Sequence, residues 1–170
     1  MIQIRPARHS DLQEILAINN FEILNSTINY DFVPKSIHEQ TDWFEGKQKE
    51  GFPIIAATSA EKVVGFATYG SFRPKPGYRF TVEHSVYLAS DFRGQGIGTK
   101  LLLELIQIAK QSGYHTMIGG IDSSNEGSYL FHQKLGFKEV ARFKEVGHKF
   151  DRWLDIVFMQ LILEDGEKLT

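Results

Sequence analysis

Arg93, Gly94, Gln95, Gly96, Ile97, Gly98 and Thr99 lie between a run of strand-forming residues and a strongly periodic helical segment. Three glycines at alternate positions cost conformational entropy unless the main chain must approach something closely. The opening turn of the helix that follows has unpaired N–H groups and the positive end of the helix dipole, which together attract phosphate oxygens. The stretch therefore implies a phosphorylated ligand; the competing reading is a purely structural strand-to-helix turn. Two nucleotide motifs fail on spacing. A Walker A loop needs Gly-Lys followed by Ser or Thr, whereas Gly98 is followed by Thr99, Lys100 and Leu101. A dinucleotide fingerprint needs Gly-x-Gly-x-x-Gly in the first βαβ unit of a parallel sheet. Counted from Gly94 its third position is Thr99, and counted from Gly96 it is Leu101.

Upstream of this loop, Arg79 to Ala89 predicts a strand with unlike faces. Phe80, Val82, His84, Val86 and Leu88 share one face, and Arg79, Thr81, Glu83, Ser85 and Tyr87 the other. The preceding Arg73, Pro74, Lys75, Pro76, Gly77 reads as a loop. Phe52 to Thr58 and Lys62 to Phe72 are rich in Ile, Val, Phe and Thr, and the intervening Ser59, Ala60, Glu61 is short enough for a hairpin. Ile2 to Ala7 alternates apolar and polar. Two capping boxes, Ser10 to Gln13 and Ser36 to Glu39, open helices expected to end near Leu24 and Glu50. Downstream, a helix from Gly98 to Gln111 gives way to a strand from His115 to Ile121. A helix from Asn125 to Leu135 and strands over Phe137 to Val146 and Asp151 to Leu163 complete the chain. The expected order is βααβββαβαββ, an α/β (α+β) arrangement, with residues 1–164 in a single domain and 165–170 a frayed tail.

Composition narrows the function. The chain has 170 residues, 42% of them hydrophobic, which suits one core. Its 19 basic and 21 acidic residues give a net charge of −2, no footprint for nucleic acid or an anionic membrane. No run approaches the roughly 18 apolar residues of a membrane span, and the N-terminus lacks an apolar signal region, so a cytoplasmic location is expected. The absence of cysteine excludes disulfides, thiolate metal sites and a cysteine nucleophile. The six histidines show no metal-ligand spacing, and no metal is expected.

With these elements in place, the glycine loop resembles the acetyl-CoA-binding motif of the GNAT superfamily of N-acetyltransferases, whose [Gln/Arg]-x-x-Gly-x-[Gly/Ala] signature is met by Arg93 through Gly98. The resemblance covers nearly the whole chain. Ile4, Arg5, Pro6, Ala7 with Asp11, Leu12 looks like the superfamily's opening, and Asn125 with Leu135, Gly136, Phe137 like its second cofactor-side motif. The element order looks like its mixed, split, mainly antiparallel sheet flanked by helices. More narrowly, Tyr78 to Tyr87 and Gly147 to Asp155 look like the phosphinothricin and methionine sulfoximine acetyltransferase branch. The resemblance implies acetyl-CoA as cosubstrate, a small-molecule amine as acceptor through the α-amino group of an amino acid or analogue, and a homodimer. In some members a catalytic histidine lies three residues before the tail Trp, where this chain has Phe150, so that role is not carried over to His148.

The resemblance implies pyrophosphate contacts for Arg93, Gly94, Gln95, Gly96, Ile97, Gly98 and Thr99, and thioester contacts for Val86, Tyr87 and Leu88. It also implies contacts to the pantetheine arm for Asn125 and Ser128. Asn125 has the plainer reading of a helix N-cap as well. Glu83 shares the polar face of its strand, and an acceptor ammonium must lose a proton before its nitrogen attacks, so Glu83 is the candidate base. Arg73 and Arg79 flank that strand. They are either surface cations or bidentate partners of a substrate carboxylate. Tyr30 and Phe32 either cover the core or, as the resemblance implies, border the acceptor pocket. His132 lies where many superfamily members have a Tyr proposed to protonate the departing thiolate; it is a candidate acid or a packing residue. His84 is expected to be a core histidine, and Phe150, Trp153 and Phe158 core or subunit contacts.

Three other readings stay open at this level. One is an acetyltransferase for a polyamine, an aminoglycoside or a protein N-terminus. The second is an acyl-CoA-binding module without chemistry, and the third a nucleotide-binding protein. A polycationic acceptor calls for an acidic cleft, whereas two arginines beside Glu83 favour an anionic one.

Overall fold

Apolar-polar alternation puts β1 (Ile2–Pro6) at one sheet edge, where the Arg5 guanidinium grips Asp11 through two bonds of 2.7 and 2.9 Å. The computed structural model describes residues 1–163, so the expected tail at 165–170 lies outside the described residues. Asp11 also accepts the Arg8 N–H at 2.7 Å. This carboxylate, rather than the expected Ser10 box, organises the short turn before α1 (Leu12–Asn25), because Arg5 supplies a charge-assisted partner that a serine cannot match. At α2 (Ile37–Lys49) the expected box is present: Glu39 N–H donates to Ser36 Oγ at 3.2 Å and Ser36 N–H to the Glu39 carboxylate at 2.7 Å.

β2 (Ile54–Ser59) and β3 (Lys62–Ser71) form a hairpin whose turn is only Ala60 and Glu61, both left-handed at φ 47° and 66°. Two left-handed residues match the twist of the flanking strands, so the connection is one residue shorter than expected. Then come β4 (Thr81–Leu88), α3 (Ile97–Gln111), β5 (Thr116–Asp122), α4 (Glu126–Lys134), β6 (Lys138–Lys149) and β7 (Arg152–Ile162). The order is the expected one, with boundaries shifted by a residue or two at several elements and two shifts that bear on the site and its surroundings. β4 starts after Arg79 and Phe80, because Tyr78 and Arg79 donate back to the carbonyls of Lys75 and Pro76 at 2.9 and 3.2 Å. β6 runs on to Lys149, because Phe150 and Asp151, at φ 52° and 54°, make another two-residue turn that pairs Lys149 with Arg152.

The seven strands lie in the order β1-β2-β3-β4-β5-β7-β6, antiparallel except between β4 and β5. Ile54, Ala56 and Phe66 pack in a cluster with α1 and α2, and Ile55, Ala57 and Ala67 in one with α3. On α3, Leu101, Leu102, Leu105, Ile106 and Ala109 form the buried stripe; each leucine so buried contributes about 1.5–3 kcal/mol. Among the described residues no helix is long and apolar enough to cross a membrane. The parallel pair is what positions the site. β4 and β5 pair only through Thr81–Glu83 and Thr116–Ile118, and then diverge.

Candidate active site

The divergence opens a gap whose β4 wall carries free backbone donors. Ala89 N–H donates to the Val64 carbonyl of β3 at 2.9 Å, so alternation turns the N–H groups of Val86 and Leu88 away from β3 and toward the gap. A cavity of about 150 Å³ lies there, lined by Val86, Tyr87, Gly98, Gly119, Ser128 and His132, among others. At its outer end Gly94 and Gly96 take left-handed φ values of 73° and 75°, and Gly96 caps α3. The N–H groups of the first helical turn, from Ile97 to Thr99, have no acceptor within the helix. Side chains brace this loop: Arg93 pairs with the buried Glu22 of α1, and Gln95 donates to the Asp91 carbonyl at 2.9 Å. Backbone, not the Arg93 guanidinium, is therefore what the loop presents to an anion.

Glu83 sits at the inner end of the split, in a larger cleft of about 670 Å³ that it shares with Arg73, Tyr30, Tyr87, Asp122 and Asn125. Burial pushes the Glu83 carboxyl above the usual carboxylate range, with the Arg73 charge opposing the rise. A carboxylate so placed is a better proton acceptor than one in water. Asp122 behaves oppositely. Burial works against its ionisation, but hydrogen bonds from Thr27 and from the N–H and hydroxyl of Ser124, with the Arg152 charge, hold it below its ordinary value. Two carboxyl groups in one cleft are thus driven apart, Glu83 upward and Asp122 downward.

His132 is buried and fixed. Its Nδ1–H donates to the Ser128 carbonyl at 2.7 Å, which leaves Nε2 as an acceptor, 3.2 Å from Nε2 of the stacked His84. His84 must then be the donor, and its Nδ1 has no partner among the described residues. Burial lowers the pKa of His132, and burial with the neighbouring His132 takes His84 down to about 3. Both rings are neutral at physiological pH. In this arrangement the one proton of neutral His132 is committed to the Ser128 carbonyl.

The other expected site residues divide. Asn125 Oδ1 accepts the Ser128 N–H at 3.0 Å, an N-cap, while Asn125 and Ser128 both also line the cleft. Tyr30 lines the cleft and its hydroxyl is pushed up to about 12 by burial, then by Asp122, with Arg152 opposing. Phe32 is exposed and does not line the cleft. Arg79 is also outside it: its guanidinium stacks on Phe80 at 4.4 Å, because the turn ends before β4 begins. Arg73 and Glu83 are brought together; Arg79 and Glu83 are not.

The comparisons with known proteins agree with this geometry. Residues 4–158 match the family model for the acetyltransferase (GNAT) domain. The chain belongs to the GNAT acetyltransferase family. It is 43% identical over 162 residues to an L-methionine sulfoximine/L-methionine sulfone acetyltransferase of Pseudomonas paraeruginosa, covering 95% of this chain and 94% of that one. Among solved structures it is similar to an N-acetyltransferase from Staphylococcus aureus Mu50, with 47% identity, a TM-score of 0.95, and 96% and 99% of the two chains covered. It is also similar to a phosphinothricin acetyltransferase from Sinorhizobium meliloti in complex with acetyl-CoA, with 35% identity, a TM-score of 0.92, and 95% and 88% covered.

Several residues of this GNAT site were not singled out from the sequence. Gly119 and Gly120 make room for it: a Cβ at Gly119 would lie 2.9 Å from His84 Nε2, and one at Gly120 would lie 3.2 Å from Glu83 Oε1. Their pairing within a strand, where glycine is disfavoured, was the available signal. Phe143 and Asp122 line the cleft, and so does Phe158, expected as a core or subunit contact, which meets Phe143 edge-on at 5.7 Å. Local sequence does not place Phe143 and Phe158 in the site, since β6 and β7 reach it only through the crossed strand order. Among the described residues no group of three or more His, Asp or Glu is placed to hold a metal ion.

Proposed function

We propose that the protein transfers acetyl from acetyl-CoA to the α-amino group of a small amino acid or analogue of the methionine sulfoximine, methionine sulfone or phosphinothricin kind. The observation that carries this reading is Glu83, half-buried beside Arg73 in a cleft that adjoins the β4–β5 gap. The donor set fits an acyl-CoA: left-handed glycines and a free helix start suit a pyrophosphate, and a narrow gap lined by β4 N–H groups suits an extended pantetheine arm. The named activities and the bound acetyl-CoA of the relatives support the same assignment.

In this reading the Val86 and Leu88 N–H groups polarise the thioester carbonyl. Arg73 orients the acceptor carboxylate, and Glu83 takes a proton from the ammonium so that the nitrogen can attack. The new C–N bond forms as the C–S bond breaks, and the second proton of the attacking nitrogen passes through water to the departing thiolate, since neither His132 nor His84 carries a spare proton. The chain has no cysteine, so no acetyl-cysteine can form and transfer is direct. We further infer that residues 1–164 act as one domain, in the cytoplasm and as a homodimer. The exposed Val140, Phe150 and Trp153 on β6, β7 and their turn support the last of these. Release of free thiol from acetyl-CoA against a panel of methionine sulfone, methionine sulfoximine, phosphinothricin, common amino acids, polyamines and peptides tests the proposal. Preference for the amino-acid analogues is expected; preference for polyamines or peptides would overturn it.

A further inference from the structure

Lys149 is 1% exposed, yet among the described residues no carboxylate pairs with it. Its Nζ donates instead to two backbone carbonyls, Ser26 at 2.9 Å and Asn29. Glu22 and Asp31 help only through space. Burying an ammonium without a paired counter-charge is unfavourable, and an apolar side chain of the same length would fill the volume without that cost. What the ammonium does that an apolar chain cannot is hold these carbonyls.

The two carbonyls bracket Thr27 and Ile28, and the segment Thr27, Ile28, Asn29, Tyr30 is one wall of the acceptor cleft. It joins two helices without regular structure of its own. Its other ties converge on the same neighbourhood. Thr27 Oγ1 donates to Asp122, and the Tyr30 ring lies against Gly147, where a Cβ would come within 2.7 Å of it. The β6–β7 turn, pairing Lys149 with Arg152, presents the ammonium to the wall. The wall meets the glycine loop only at second hand, through Ser26 Oγ donating to the Glu22 carboxylate that pairs with Arg93 and through Ile28, which shares the small cavity with Gly98.

We propose that Lys149 is a positioning residue for acceptor binding: by holding the Ser26 and Asn29 carbonyls it fixes the Thr27–Tyr30 wall at the width that selects the acceptor. The inference rests on the cleft being the acceptor site. The test is steady-state kinetics of Lys149→Met, which keeps the length and removes the donors, and of Thr27→Val, which frees the same wall at its other tie. The amine used is whichever one the wild-type enzyme acetylates best, so the wild-type panel judges the function and the variants judge Lys149. Both variants are expected to raise the acceptor KM about tenfold, the scale of a misplaced binding wall, with the acetyl-CoA KM held within about twofold. Should the methionine variant lack a cooperative melting transition, Lys149→Gln, which keeps an N–H donor, carries the same comparison. A folded Lys149 variant with an unchanged acceptor KM, or with both KM values moving together, would overturn the proposal and leave Lys149 a packing residue.

Discussion

Glu83 and Asp122 face one cleft and differ in what surrounds them, and that difference sets what each can do. Glu83 is raised by burial and restrained by Arg73. Because the base acts when ionised, the acidic limb of the pH profile should follow its pKa. Arg73→Gln removes the restraining charge, so the limb should move to higher pH while the acceptor KM rises. A limb that stays put would separate Arg73 from Glu83 electrostatically. For Asp122 the sign is reversed. Its native pKa lies below the unfolded value, so its contribution is complete above about pH 4 and is lost as pH falls through the lower native value. Asp122→Asn should therefore destabilise the protein near neutrality by about 1–3 kcal/mol, the worth of hydrogen bonds to a charged group. Denaturant melts across pH check this, and the gap from wild type should close in strong acid.

At the scale of elements, the site is made by what β4 and β5 fail to do. Three paired residues hold the strands together, and their separation beyond Glu83 exposes the Val86 and Leu88 donors. The space on the β5 side is filled by the His84–His132 pair, which fits only because Gly119 has no side chain. Gly119→Ala should force the two rings apart at a cost of about 1–3 kcal/mol, typical of overpacking, seen as a lowered Tm. It should also weaken acetyl-CoA affinity, measured by calorimetry, because His132 and Gly119 line the gap. A stable variant with unchanged affinity would mean that the histidine pair is not part of the gap's architecture.

For the whole molecule, local sequence carried the element order and the glycine loop because each is written in periodicity, caps and glycine spacing within a few residues. Glu83 was legible for the same reason: strand alternation placed it on the polar face of β4. Arg79 shared that face in the alternation, but a turn stabilised by the Lys75 and Pro76 carbonyls delays the start of β4 past it, and its guanidinium stacks on Phe80. Phe143, Phe158, Asp122 and Lys149 could not be read locally, since they enter the site through strand crossing and through one hairpin tip meeting the α1–α2 segment. His132 was visible as a candidate, while the ring it stacks on, His84, lies 48 residues earlier in the chain.

All these levels meet in one claim, that a half-buried Glu83 takes the acceptor's proton while the glycine loop and the β4–β5 gap hold the acyl donor independently. The most direct measurement is thiol release by Glu83→Gln with methionine sulfone as acceptor, paired with calorimetric binding of acetyl-CoA to the same protein. The account predicts a fall in kcat of about 10²- to 10⁴-fold, the usual worth of general base catalysis, with acetyl-CoA affinity nearly unchanged. Turnover at the wild-type rate, or an equal loss of turnover and acetyl-CoA affinity, would contradict it.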